Sequence, residues 1–253
     1  MSLSIDFRGK NVLITGGTMG IGAAIVEDFK HAGANLIVTG AEDIEIINKL
    51  NDEAKRNNNN KIKYIRVDFT DKLSFNNFFM ELDDYDKIDI CINNAGTNKN
   101  NPIDEIKLDD YYLLMDVNLH APFLITRYLS KRMKKANFGR IVNIASIWSV
   151  ITRSNRAAYS MTKFGIVGLT KTSAVELAPY NVLVNAVSPG FTLTELTKKT
   201  LNKEEVKEVS DIIPVKRFAQ PSEISKLVLF LASDLNTYIT GQNIIIDGGF
   251  TNV

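Results

Sequence analysis

The sequence predicts a single-domain, doubly wound α/β fold over residues 1–253, a parallel sheet of about seven strands with helices on both faces. Three observations carry that prediction. Short, almost continuously apolar runs recur along the chain, longer stretches with helical patterning separate them, and the first run ends in a glycine-rich turn that opens a helix. Strands buried on both faces lose the in/out alternation of a half-exposed sheet, so such runs belong to a parallel sheet covered on each side.

The first run is Asn11 to Thr15 (NVLIT), followed by the turn, a helix from about Gly20 to His31 and a second run, Leu36 to Thr39. This parses as strand, helix, strand. Further runs lie at Lys61 to Val67, Ile88 to Asn93, Gly139 to Ala145, Val182 to Ser188 and Asn243 to Asp247. Long helices are expected over Leu108 to Lys135 and Ala157 to Pro179, and Asn57 to Asn60 reads as a solvated loop. Phe191 to Ile213 lacks a strand pattern, follows a Pro-Gly and carries two weakly amphipathic segments, Leu193 to Thr200 and Lys203 to Ile212. It reads as a substrate lid over residues 191–213, with a structural cap as the plainer alternative. Ligand is expected at the C-terminal ends of the strands.

Composition excludes several functions. With 30 Lys+Arg against 29 Asp+Glu, the net charge of +1 gives no field for nucleic acid or an anionic membrane. The one cysteine, Cys91, cannot close an intramolecular disulfide, and with only His31 and His120 beside it no metal site is expected. No apolar run approaches the roughly 18 residues of a membrane span. The N-terminus carries charge where a signal peptide is apolar. A cytoplasmic protein is expected.

Thr15-Gly16-Gly17-Thr18-Met19-Gly20-Ile21-Gly22 stands where the first strand hands over to the first helix. Glycines let the backbone approach a ligand, and the helix N-terminus offers unpaired N–H groups to a pyrophosphate. Alone, such a turn serves equally well without a ligand. Two further strand ends give it context: Val67-Asp68-Phe69-Thr70, where Asp68 can accept from an adenine amino group, and Asn93-Asn94-Ala95-Gly96, whose small residues admit a flat ring. With T-G-x-x-x-G-x-G, a strand-end Asp and N-N-A-G in that order, the chain resembles the short-chain dehydrogenase/reductase family, most nearly its 3-oxoacyl-carrier-protein reductases. The resemblance implies a Rossmann-like fold and a nicotinamide dinucleotide held by Gly16, Thr18, Met19, Gly20, Ile21, Gly22, Gly40, Asp68, Phe69, Asn94, Ala95 and Gly96.

Tyr159-Ser160-Met161-Thr162-Lys163 places Tyr and Lys one helical turn apart. With 8 Tyr and 30 basic residues in 253, about one such pair arises by chance, and Tyr128/Arg132 is a second. Position separates them: Tyr128 reads as a helix-surface or interface residue, whereas Tyr159 follows a strand that ends near Ser146. A fixed ammonium and an oxidised nicotinamide are expected to lower the phenol's pKa, so that Tyr159 exchanges a proton with the substrate oxygen while Ser146 hydrogen-bonds it. Lys163 is also expected to hold the nicotinamide ribose. The resemblance adds Asn118, which in the family anchors a water of the proton relay, and Pro189, Gly190 and Thr192, facing the nicotinamide. It implies transfer of the pro-S hydride between nicotinamide and a carbon bearing oxygen. A non-catalytic dinucleotide sensor on the same fold is the competing reading.

The chain departs from the family pattern in two places. Gly40 stands where NAD-preferring members carry Asp, and neither Ala41 nor Met19 is the cation of NADP-preferring members. Glu42 and Asp43 would oppose a phosphate, so the expectation leans to NAD. The turns Ala136-Asn137-Phe138-Gly139 and Ala178-Pro179-Tyr180-Asn181 lack the cations that dock an acidic carrier protein, although Lys134 and Lys135 are close. A free small-molecule alcohol or ketone is therefore favoured, with 3-oxoacyl-carrier-protein reduction as the alternative. Trp148 and Phe191 are expected to line the substrate cavity. Arg153 and Arg156 either meet an anionic group on the substrate or form a rim open to water. Relatives pack the long helices against their copies, which implies a homo-oligomer, a dimer or tetramer.

Overall fold

Val12, Leu13 and Ile14 of strand β1 (Asn11–Ile14) are all fully buried, because helices cover both faces of the sheet. In the computed structural model, which describes residues 4–56, 61–195, 197 and 202–253, β1 is followed by α1 (Gly20–His31), β2 (Asn35–Gly40), α2 (Ile44–Arg56), β3 (Ile62–Arg66), α3 (Lys72–Asp83) and β4 (Ile90–Asn93). Helix α4 (Leu108–Met115) runs through a π-helical segment (Asp116–His120) into α5 (Ala121–Ala136). There follow β5 (Gly139–Ile144), α6 (Ala157–Leu177), β6 (Val182–Pro189), α7 (Lys203–Ile212), α8 (Pro221–Ala232) and β7 (Asn243–Ile246).

All seven strands join one parallel sheet in the order β3-β2-β1-β4-β5-β6-β7. The expected runs and the observed strands agree to within two residues at each end. Alternation survives beneath the continuous burial. Val12 and Ile14 point into a core layer with Ile25, Phe29 and Val228 from α1 and α8, and Leu13 points into the opposite layer with Phe78, Leu129 and Ala174 from α3, α5 and α6. The chain leaves β1 toward β2 and β3 and returns to build outward from β4, so the strand order reverses between β1 and β4. A crevice opens there at the carboxyl ends. The Asn57 to Asn60 loop lies outside the described residues, as do parts of the Leu193 to Thr200 segment. No helix among the described residues is long and apolar enough to cross a membrane.

Candidate active site and cofactor cradle

The loop between β1 and α1 is shaped by absent side chains. Gly16 (φ +62°) and Gly20 (φ +57°) take left-handed backbone that glycine adopts without strain. A Cβ on Gly16 would lie 2.8 Å from the Cα of Ala95, and one on Gly22 would collide with the Gly16 carbonyl oxygen. Asn94 braces the loop from β4: its Nδ2 donates to the carbonyls of Thr15 and Gly16 at 3.0 and 2.8 Å. The Thr15 hydroxyl accepts the N–H groups of Asn94 and Ala95, both at 3.0 Å. Met19, the N-cap of α1, makes no side-chain cap bond, so the N–H groups of Ile21 and its neighbours at this helix end gain no partner from it. An open helix N-terminus beside a backbone that tolerates no side chain suits a pyrophosphate.

At the end of β2 a Cβ on Gly40 would collide with the carboxylate of Glu42. The Thr18 hydroxyl donates to Glu42 Oε1, while Oε2 is buried with no hydrogen-bond partner among the described residues. Sequence reading noticed Glu42 but could not tell which way it faced. It missed Arg66, registered opposite Gly40 on β3. Arg66 lines a depression together with the acidic Asp43, Glu45, Asp71 and Glu81. The Oδ1 of Asp68 accepts the Thr70 hydroxyl at 2.7 Å and the Thr70 N–H at 2.9 Å, which hold its carboxyl below the usual range. The ring of Phe69 is committed to Phe75 and Phe78, so only its backbone is available to a ligand.

Beyond β5, Ser146 takes extended backbone (φ −174°) as the N-cap of a short 3-10 turn, Ile147–Ser149, and its hydroxyl accepts the Trp148 N–H at 3.3 Å. The phenol of Tyr159 on α6 lies near enough to that hydroxyl for Ser146 to pull its pKa down. One turn further, Lys163 is 4 % exposed. Its Nζ donates to the Ile144 carbonyl at 2.9 Å and lies 5.6 Å from the centre of the Tyr159 ring. No carboxylate pairs with it among the described residues, and burial pulls its ammonium down to about 8. Gly96 is the floor between this group and Asn118: a Cβ there would lie 3.7 Å from Lys163 Nζ and 3.4 Å from Asn118 Oδ1.

In the chain alone the Tyr159 phenol lies above its ordinary pKa, and the lowering expected with an oxidised nicotinamide is not tested by it. Burial raises the pKa, and Ser146 and the Arg156 charge pull the other way without overcoming the loss of water. The ammonium of Lys163 lies over the ring, 5.6 Å from its centre.

Asn118 sits in the π-helical segment with its side chain engaged. Oδ1 accepts the Thr97 N–H at 2.8 Å, and Nδ2 donates to the Thr97 carbonyl at 2.9 Å and to Thr162 at 3.2 Å. The site is bounded on the far side by Pro189 and Gly190, where a Cβ on Gly190 would lie 2.7 Å from the Cβ of Asp247. Thr192 is buried and donates to the Gly190 carbonyl at 3.2 Å. The chain then crosses back to the glycine loop: a Cβ on Gly20 would meet the Thr194 side chain at 3.4 Å. Nothing in the sequence pointed to Thr194, since the contact joins segments far apart in the chain. Trp148 is only 7 % exposed, and Phe191 packs edge-on against Phe250 and tilted against Phe218.

A family model described as enoyl-(acyl carrier protein) reductase matches residues 16–251. The 3-oxoacyl-[acyl-carrier-protein] reductase FabG of Aquifex aeolicus is 39 % identical, the alignment covering 98 % of this chain and 99 % of that protein. An NAD-dependent glycerol dehydrogenase of Listeria innocua is 36 % identical over 97 % of this chain and 95 % of its own length. Among solved structures, ElxO with NADP bound superposes with a TM-score of 0.88 at 30 % identity, over 96 % of this chain and 99 % of that one.

Proposed function

Since the chain belongs to the short-chain dehydrogenase/reductase family and is an NAD(P)-dependent oxidoreductase acting on CH–OH and C=O groups, we propose that Ser146, Tyr159, Lys163 and Asn118 carry that reaction on a small-molecule alcohol or ketone, with NAD preferred. One observation bears most of the weight: the half-buried Tyr159, near Ser146, stands one turn from a buried ammonium, 5.6 Å from its ring centre, that no carboxylate neutralises among the described residues. The nicotinamide, when bound, supplies or accepts the hydride. Tyr159 gives or takes the proton at the substrate oxygen, and Ser146 holds that oxygen as charge develops on it. Lys163, anchored on Ile144, has further N–H donors for the nicotinamide ribose. Pro122 has no N–H to close onto the Asn118 carbonyl four residues earlier, which leaves that carbonyl to a water leading the proton to solvent. Residues 191–213 act as the lid over substrate and cofactor, supported by the approach of Thr194 to Gly20.

In Tyr159→Phe, turnover falls by about 10²-fold or more, while NADH binding, followed by fluorescence titration, is retained. Persisting turnover would overturn the assignment, and loss of turnover with binding intact also removes the sensor reading. Support for NAD comes from Glu42, whose unpartnered Oε2 stands at Gly40 as an acceptor for a ribose hydroxyl and a repellent for a phosphate. NADH is expected to bind more tightly than NADPH, and Glu42→Gln to narrow the gap by about tenfold. Tighter binding of NADPH to the wild-type chain would refute the preference.

Reduction of a 3-oxoacyl group on a carrier protein is the second reading, favoured by the Aquifex aeolicus relative. The local cations argue against it: Lys134 lies over the Tyr180 ring at 5.0 Å, and Arg140 is 4 % exposed with its guanidinium on the carbonyls of Gly139 and Asn181. Comparing turnover of an acetoacetyl carrier protein with that of small ketones decides between the two.

A further inference from the structure

Arg153 and Arg156 each place the guanidinium carbon 5.3 Å from the centre of the Trp148 ring. Two like charges thus share one aromatic surface, and neither makes an ion pair or side-chain hydrogen bond among the described residues. Arg8, Arg132 and Arg217, by contrast, each hold a carboxylate, of Asp6, Asp83 and Glu223 respectively. No compensating acid is near in sequence either, since no Asp or Glu occurs between Asp116 and Glu176. The repulsion is felt: burial first, and then the Arg153 charge, hold the half-buried Arg156 below its ordinary pKa.

This pair adjoins the reacting groups. Trp148 donates its backbone N–H to the Ser146 hydroxyl, and Arg156 is the N-cap of α6, one turn before Tyr159. Arg156 is close enough to Tyr159 for its charge to act on the phenol, so a substrate whose oxygen meets Tyr159 comes within reach of this cation. A guanidinium pair stacked on an indole is oriented for oxyanions, which accept several N–H donors at once. We propose that Arg153 and Arg156, gathered around Trp148, form the receptor for a carboxylate or phosphate on the substrate, so that this enzyme acts on a short hydroxy or keto compound bearing an anionic group. The proposal rests on the reading of Ser146 and Tyr159 as the reacting end.

Trp148 is the chain's single tryptophan, so its emission reports on the ring that both arginines approach. The experiment uses the NAD complex of Tyr159→Phe, in which no turnover interferes. It is titrated at constant ionic strength with D-glycerate, sn-glycerol 3-phosphate and neutral glycerol, with calorimetry in parallel. Expected is saturable binding of one or both anions with a change in Trp148 emission, at least about tenfold tighter than glycerol. The carboxylate and phosphate arms show which oxyanion is preferred. Adding Arg153→Ala and Arg156→Ala together removes that difference, and the lysine variants of both positions restore it in part. Equal binding of glycerol and the anions, no saturable anion binding by calorimetry, or undiminished anion binding in the double alanine variant overturns the receptor. If the alanine variant fails to fold by circular dichroism, Arg153→Gln alone, at an exposed position, carries the same comparison. The premise fails separately, if Tyr159→Phe keeps its turnover, and anion binding is read independently of that result.

Discussion

A tyrosine followed four residues later by a basic residue occurs on both α5 and α6, and the two pairs have opposite characters. The Tyr128 hydroxyl donates to Asp83 at 2.6 Å, Arg132 bonds the same carboxylate and the carbonyls of Leu82 and Tyr85, and burial followed by the Asp83 bond pushes the phenol up to about 12. That pair ties α5 to the end of α3. Tyr159 and Lys163 have no carboxylate partner among the described residues, and Lys163 keeps a buried charge that destabilises the fold. An ammonium held near 8 in the folded chain against 10.5 ordinarily corresponds to about 3 kcal/mol. The unfolded chain binds this proton more tightly, so the cost is fully present below about pH 8 and fades as the pH rises toward 10.5. Lys163→Met without cofactor should therefore melt at a higher temperature than the wild-type chain at pH 7, with the gap narrowing in alkali, while turnover collapses. Thermal melts across pH check this, and a lower melting temperature at pH 7 would contradict it. Spacing made Tyr159, Lys163 and Ser146 legible in the sequence. The fate of the charge was not, because the direction of a pKa depends on burial that only the packed helices create. The orientation of Glu42 and the crossing of Thr194 were hidden for the same reason.

At the scale of elements, the sequence predicts one helix over Leu108 to Lys135, and the structure interrupts it at Asp116–His120. Pro122 is the local cause: with no N–H at that position the regular ladder cannot pass, and the N–H of Ala121 reaches back five residues to the Asp116 carbonyl. A proline near a helix interior is visible in sequence, but whether it kinks, ends or widens the helix depends on what packs against it. Here the widened turn carries Asn118 to Thr97, and so fixes the chain just beyond Gly96. A similar bracket holds Ser146: Ser149 donates to the Ser146 carbonyl at 2.6 Å and is itself joined to Ser188 and Asn243 at the β6 and β7 ends. Asn118→Ala strips the Thr97 N–H and carbonyl of buried partners. It should cost about 2–3 kcal/mol in urea unfolding and lower kcat more than it weakens NADH binding. An unchanged unfolding midpoint would show that Thr97 finds other partners.

For the whole molecule, burial on both faces is nearly continuous in β1, β2, β4, β5 and β6 and weakens at the two edges, where β3 exposes Lys63 and Arg66. No residue of β7 is fully buried, and Ile245 is 38 % exposed on a strand whose sequence, NIII, is as apolar as any in the sheet. The sequence cannot distinguish an apolar run meant for the interior from one meant for a second copy of the chain, since both lose water in the end. The same ambiguity appears on α6, where Met161, Phe164 and Val175 are 53 %, 49 % and 78 % exposed and fall on one stripe with Gly168, above which there is open space. Leu108, Tyr112 and Phe123 add exposed apolar side chains on α4 and α5. An apolar stripe broken by a glycine lets another helix approach closely, and burying such side chains contributes about 1.5–3 kcal/mol each. The chain is therefore expected to sediment at micromolar concentration as a dimer or tetramer, paired through α4 to α6 and, in a tetramer, through the β7 edge as well. Val175→Glu with Phe164→Lys places charges in the helical contact while leaving the core untouched, and should shift sedimentation toward a 28.2 kDa monomer. A wild-type monomer would leave the exposed stripe without a partner and refute the assembly. An unchanged oligomer in the double variant would move the contact from α6 to β7.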